Sequence, residues 1–373
     1  MTRSQGLLAG SIAIFGIVPV AAQIGAGPSA EPTQLRSVPA ETTVAAWSNT
    51  EWDPPRTSWG DPVIGGVWSV DDMRGIPRTR PEQFGEREFL DEAEYDERAS
   101  RDQGGRNRAE NTETFLRNEY GVRTFGFTSL VVEPADGRIP DLTDEGRRRA
   151  EAPRGGTFSS SVFNEFTDFS LYDRCISRGI FGSVLPSIYG NGIVITQSPG
   201  TVSITYEMIH DTRVIHIDDR PPLDDGLTQW LGSSRGYWDG DTLVVEATHF
   251  KDNLLSVGAG PPHSDQLRLT ERYRRVDPDM IEYRVTVEDP VIFTAPFTYR
   301  IMFTTQPDYQ VYEYSCHEGN GAVGHSLSGE RAYERRVAEA LAAGEEPPPR
   351  SADGSVYRGI EGRADVIDIN AGE

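Results

Sequence analysis

The sequence predicts a mainly β protein, an antiparallel up-and-down meander closed into a lipocalin-like barrel with short peripheral helices. Three observations carry that expectation. From residue 192 onward, apolar and β-branched runs alternate with turn signals at short intervals. No helical period interrupts them before Cys316. The connections are also too short for the crossovers that parallel strands require. A β-sandwich is the alternative closure. The barrel is preferred because consecutive hairpins give up-and-down order and closure removes exposed edges.

Residues 1–22 read as a signal peptide. Arg3 supplies the positive start, an apolar stretch spans 6–18, and the small residues Val20 and Ala22 suit cleavage before Gln23. The apolar run is shorter than the roughly 20 residues of a membrane-spanning helix, and nothing later in the chain is apolar enough to span. A buried N-terminal helix is the other reading of this run. Residues 23–60 are rich in Pro, Ala, Ser and Thr and predict an irregular segment, with Trp47, Trp52 and Trp59 pinning its end to the domain. A single β-rich domain is expected over 61–345, followed by a tail over 346–373 that contains Pro347, Pro348 and Pro349.

Within the domain, a short exposed helix is expected over 89–101 and a solvated loop through Gly104, Gly105 and Asn111. A second helix starts at Thr143, which caps a first turn carrying Asp144 and Glu145. Nine strands follow residue 192, over 193–196, 202–209, 214–217, the run into Trp238, 242–250, 267–276, 281–287, 296–305 and 309–316. Ser198-Pro199-Gly200, Asp239-Gly240 and Asp277-Pro278-Asp279 mark the tight turns between them. Residues 63–70 and 125–132 offer extra strands. A last helix, capped by Ser328 and ended by Gly344, places Tyr333, Val337 and Leu341 on one face.

Composition excludes some partners. With 36 basic and 58 acidic side chains, the net charge is −22, which repels nucleic acid and anionic lipid. The phosphate loop, HExxH, GxSxG and CxxC patterns are all absent, so no cofactor and no metal are expected. The partner left is a small-molecule substrate or ligand. Export to a periplasm or beyond makes a disulfide between the only two cysteines, Cys175 and Cys316, the expected state, with two buried thiols as the alternative.

Candidate chemistry concentrates in three places. Around Tyr206, His210, Asp211 and Arg213, a hairpin end sets an imidazole beside a carboxylate and a guanidinium, a combination suited to proton transfer next to a polar carbonyl or anion. The same residues can equally form a plain hairpin tip. His317 and Glu318 follow Cys316, and a bridge to Cys175 would carry Asp173 and Arg174 to them. They can also simply cap the exit of the chain from the barrel. Trp230, Arg235 and Trp238 lie in a loop rich in aromatic and small residues that would suit stacking on a flat or sugar-like ligand, or packing alone. Glu246, Glu271, Arg272, Arg274, Glu282 and Arg284 are expected on a solvated face as cross-strand ion pairs. His263, in a Pro-rich loop, serves as the comparison position for the other histidines.

Several blocks also carry a resemblance. YEMIHDTRVIHIDDRPPL, WLGSSRGYWDGDTLVVEATHF, LTERYRRVD, TVEDPVIFTAPFT and YEYSCHEGN, with IPDLTDEGRRR and DRCISRG before them, resemble recurring blocks of a large family of exported bacterial proteins. The likeness runs over about 65–331, and the block over 230–250 is its most specific part. It implies export and a shared fold, and it brings no activity with it. The chain departs from the family pattern at His216, Asp219 and Pro222, where proline, glycine and histidine are usual, so no role is expected of the loop 219–223.

Three functions remain. One is an exported enzyme with acid–base lyase, isomerase or hydrolase chemistry, using His210 and His317 for proton transfer with Asp211 or Glu318 orienting them and Arg213 or Arg174 stabilising negative charge. The others are a lipocalin-like carrier without chemistry and an envelope protein that interacts through its rim loops.

Overall fold

The structure is a computed structural model that describes residues 53–110, 121–152 and 163–349, except 219, 222, 225, 253, 254, 258, 259, 307 and 308. The expected signal peptide, the irregular segment before residue 53 and the tail beyond residue 349 lie outside the described residues. Ten strands form one sheet: β1 (Gly66–Ser69), β2 (Val131–Glu133), β3 (Gly192–Ser198), β4 (Thr201–Tyr206), β5 (Thr212–His216), β6 (Ser233–Asp239), β7 (Thr242–Thr248), β8 (Arg268–Asp277), β9 (Met280–Glu288) and β10 (Phe297–Thr304). Pairing runs β1-β3-β4-β5-β6-β7-β8-β9-β10, and Ser69 opposite Thr304 returns β10 to β1, so nine strands close a barrel. β2 pairs with the other end of the same β10 edge. The helices are α1 (Glu92–Glu110), α2 (Asp144–Glu151), α3 (Gly179–Val184) and α4 (Ala322–Ala343).

The tight turns form where the turn residues stand. Ser198 pairs with Thr201 around Pro199-Gly200, with Gly200 at φ 74°. Asp239 pairs with Thr242, and Asp277 with Met280 across a bulge. Thr143 caps α2 by accepting a 3.0 Å hydrogen bond from the Gly146 amide, and Gly344 ends α4 at φ 73°.

Four expectations need correction. β5 and β6 pair in parallel, through Ile215–Ser234 and His216–Arg235 only, so the barrel is mixed. The connection over 217–232 is long enough for the crossover that a parallel pair needs. The strand expected over 309–316 does not form, because β10 has its edges taken by β9, β1 and β2. α1 continues through Gly104 and Gly105, and Arg98 anchors it by donating to the Phe125 and Phe127 carbonyls at 3.0 and 2.5 Å. α4 begins six residues before Ser328, whose hydroxyl instead bonds the Gly324 carbonyl within the helix.

Side chains fill the barrel. Alternate residues of the strands point inward, among them Ile204, Leu243, Val245, Val285, Ile301 and Phe303, each at most 1% exposed. Tyr273, Tyr283 and Phe303 stack at centroid distances of 4.8 and 5.0 Å. One charged pair sits among them. The Arg213 guanidinium from β5 forks onto both carboxylate oxygens of Glu271 from β8, at 2.6 and 2.7 Å. Glu271 is fully buried, so it leaves the solvated face on which its neighbours lie. The Tyr273 and Tyr283 hydroxyls each donate to Glu271 at 2.8 Å. Burial works against the Arg213 charge, but Glu271 and the surrounding tyrosines outweigh it and hold the pKa well above the ordinary arginine value.

Removing one partner of such a pair leaves a buried charge with nothing to neutralise it. Glu271→Gln or Arg213→Met should each destabilise the fold by about 3–5 kcal/mol in denaturant unfolding. The double substitution should cost less than the sum of the singles. Strictly additive costs would mean that the two charges do not act together.

Candidate functional site

The larger cleft, about 600 Å³, lies where the chain leads into the short parallel pairing of β5 and β6. Asp211, Thr212 and Val214 line one wall, and residues 228–234 line the other. Arg213 and Ser234 form the floor, with a 3.3 Å contact between guanidinium and hydroxyl. The far wall depends on Gly232. Its φ is 66°, and a Cβ there would stand 2.6 Å from the Thr248 carbonyl and 2.8 Å from the Phe250 ring. Gln229 is fixed beside it, its backbone N–H donating 2.9 Å to the His249 carbonyl.

Trp230 is half-buried in this wall, with the Lys251 ammonium 4.6 Å from its ring centroid. A cation in that position is worth about 0.5–1 kcal/mol at an exposed site and holds the indole in place. Hydroxyls and an amide come from Thr212, Thr228, Ser233, Ser234 and Gln229, and His216 and Lys251 also line the cleft. The acid in the cleft is Asp211. Its Oδ2 accepts 2.6 Å from the Ser177 hydroxyl, and burial pushes its pKa above the usual carboxylate value against that bond and the nearby His210.

The corner before Asp211 is strained. Tyr206 ends β4, a 3-10 turn covers Met208–His210, and Ile209 and His210 take left-handed φ values of 67° and 49°. A β-branched residue there is a genuine outlier, and such strain concentrates at binding and switch sites. His249, which holds Gln229, has φ 60°.

The candidate residues divide among four places. Asp211, Arg213 and Trp230 meet at the cleft. Arg213, however, spends its donors on Glu271 and Tyr273 instead of facing His210. Tyr206 is 1% exposed inside the barrel, and burial raises its pKa to about 12. Trp238 is half-buried four residues beyond Ser234 on β6, about 13 Å along the strand, which removes it from the cleft. Arg235 points outward and donates to the carbonyls of Asp218 and Arg220.

The fourth place is the stapled corner. Cys175 and Cys316 form the disulfide, with Cα atoms 5.7 Å apart. The amide nitrogen of the Asn320 side chain reaches the Asp173 carbonyl at 3.0 Å, so the bridge does join the two segments. Asp173 is buried with its carboxylate accepting from Ser170, and Arg174 lies 5.7 Å over the Phe166 ring. His210 is exposed, with Nδ1 3.2 Å from the Tyr314 carbonyl. His317 and Glu318 occupy an exposed turn just past the bridge. Both histidines thus flank the segment that the disulfide holds, and neither lines the larger cleft.

Sequence reasoning missed Ser177, Lys251 and the hydroxyl-bearing wall over 228–234. The wall had a readable signal in its run of small polar residues around Trp230. Lys251 had none, because only the fold sets it over the indole. Among the described residues, no group of three or more His, Cys, Asp and Glu could hold a metal ion, and no helix is long and apolar enough to cross a membrane.

The fold and site define a closed mixed β-barrel with its cleft at the parallel seam. No protein-family model, curated protein or solved structure matches this chain.

His263 is no neutral comparison position. It is 4% exposed, edge-on to Phe250 at 5.5 Å, and burial lowers its pKa below 6.5. Below pH 6.5 the unfolded chain therefore binds the proton more readily than the folded one, and stability falls with pH from there until the folded imidazole is also protonated. Thermal unfolding followed from pH 7 to 5 should show this loss, and His263→Asn should flatten it. An unchanged slope in the variant would assign the acid sensitivity elsewhere.

Proposed function

We propose that this chain is an exported binding protein that holds a small, uncharged, hydroxyl-rich organic molecule in the cleft beside the β5–β6 seam. One observation carries the reading. A fixed indole, Trp230, stands in a wall whose other polar groups are hydroxyls and a carboxamide. An aromatic face takes the apolar face of a sugar-like ring while hydroxyls and amides exchange hydrogen bonds around its rim. The cleft volume falls within the range of small-molecule sites. Export rests on the charge and apolar pattern of residues 1–22 and on the disulfide.

Asp211 favours a second reading, an acid–base enzyme working in the same cleft. A carboxyl with a raised pKa at the edge of a pocket can donate a proton, and His210 is its neighbour in the chain. In that case a bound molecule would be transformed, with His210 and His317 as the further groups to test.

Calorimetric titration of the purified protein with neutral monosaccharides, disaccharides and polyols separates the readings. Binding should fall about tenfold in Trp230→Ala and survive in Trp230→Phe, as expected for loss of a stacking face. Asp211→Asn, His210→Gln and His317→Gln should bind as the parent does, with the ligand recovered unchanged. Conversion of a ligand by the parent but not by Asp211→Asn would establish the enzyme. Binding indifferent to Trp230→Ala, or none across the panel, would remove the proposal.

A further inference from the structure

A second cleft, of about 310 Å³, is lined by two arginines together with Phe181, Leu185, Leu255 and Ser187. In a chain of net charge −22, carboxylates are plentiful, yet among the described residues none stands within 4.0 Å of either guanidinium. Arg178 is half-buried, and burial lowers its pKa, the mark of a charge moved out of water without an anion to meet it. What it does have is a ring. Tyr172 lies under the guanidinium at 5.2 Å.

Both arginines are placed by their main chains. Arg78 is exposed, but its carbonyl accepts from Val131 at 3.0 Å and the preceding Pro77 carbonyl accepts from Leu130 at 2.8 Å. Arg178 sits three residues past the disulfide, and the Ser177 hydroxyl accepts from the Gly179 amide at 2.9 Å. Gly182 gives the Arg178 side chain its room, since a Cβ there would lie 2.8 Å from the Arg178 Cβ.

Two guanidiniums on an otherwise acidic molecule, beside the largely buried side chains of Phe181, Leu185 and Leu255, match one kind of ligand. We propose that this cleft binds a small organic acid, its carboxylate between Arg78 and Arg178 and its apolar body against Phe181, Leu185 and Leu255. Guanidinium forks suit carboxylate geometry, and the local positive field opposes the repulsion of the surrounding surface. The site is separate from the Trp230 cleft and does not depend on the function proposed there.

Benzoate is the probe, titrated into the full mature protein by calorimetry. Saturable binding is expected, at least tenfold tighter than acetate, inorganic phosphate or benzyl alcohol. Arg78→Gln should weaken it at least tenfold. Because Arg78 is exposed, this variant is expected to fold, which circular dichroism checks. Gly182→Ala should also weaken benzoate by displacing Arg178, while Trp230→Ala should leave it unchanged. The proposal is overturned by benzyl alcohol binding as tightly as benzoate, by inorganic phosphate binding more tightly, or by no saturable benzoate binding. Unchanged affinity in a folded Arg78→Gln, or loss of binding in Trp230→Ala, would overturn it as well.

Discussion

The ion pair between Arg213 and Glu271 is the constraint around which the barrel is built. Two charges removed from water are tolerated when they meet each other in good geometry and further hydrogen bonds support them. Satisfying this pair takes residues from five strands. Arg213 comes from β5 and Glu271 with Tyr273 from β8, while Tyr283 comes from β9 and Ser234 from β6. Tyr206 on β4 closes the group, its hydroxyl feeling the Arg213 charge. Slipping any of these strands by one residue would turn its side chains to the opposite face. The pair therefore fixes register around more than half the barrel, which apolar packing alone does less strictly.

That constraint also shapes the seam. β5 must present Arg213 inward, and β6 must bring Ser234 beside it, yet the two strands share only two residue pairs. The segments leading into those pairs line the cleft, with the ion pair as its floor. A floor in which Glu271 already neutralises Arg213 suits holding a neutral molecule better than meeting an anion. Two arginines, Arg78 and Arg178, line the second cleft instead.

Much of this was legible in the residues, for identifiable reasons. Two-residue turns depend on local chemistry, so Pro199-Gly200 and Gly240 declared themselves. The parallel seam was less visible, because 217–232 has neither a tight turn nor a helix, yet the equally turn-free connection over 249–267 joins an antiparallel pair. Glu271 had a signal too. It shares parity with Leu267, Leu269 and Tyr273 on the apolar side of β8, but a lone carboxylate there reads as exposed until its arginine is found. The segment 309–316 could not be placed locally. Its alternation suits a strand, and only the full sheet shows that no edge is left for it. It is held by side chains instead: the Tyr312 amide donates 3.2 Å to Glu207, and the Tyr172 and Tyr314 hydroxyls meet at 2.9 Å. Trp230 and Asp211 were readable as candidates, whereas Lys251, His249 and Ser177 reach the cleft only through tertiary placement.

The stapled corner explains why a disulfide belongs at Cys175. The chain over 175–178 carries Arg178 to one cleft and, through Ser177, holds the carboxylate of Asp211 at the other. The Arg178 backbone amide supports the same carboxylate. Cys175 itself takes a left-handed φ of 55°, which a free chain would relax. Closing a loop of 141 residues limits that freedom chiefly in the unfolded state, on the order of 5 kcal/mol in the chain-entropy model. In the folded state the same bond keeps a strained backbone at the one place where both clefts are supported. Burial disfavours a charge on Asp211, and the Ser177 and Arg178 donors oppose that penalty. The protonation of one cleft's carboxyl is therefore written in bonds that come from the segment bearing the other cleft's arginine.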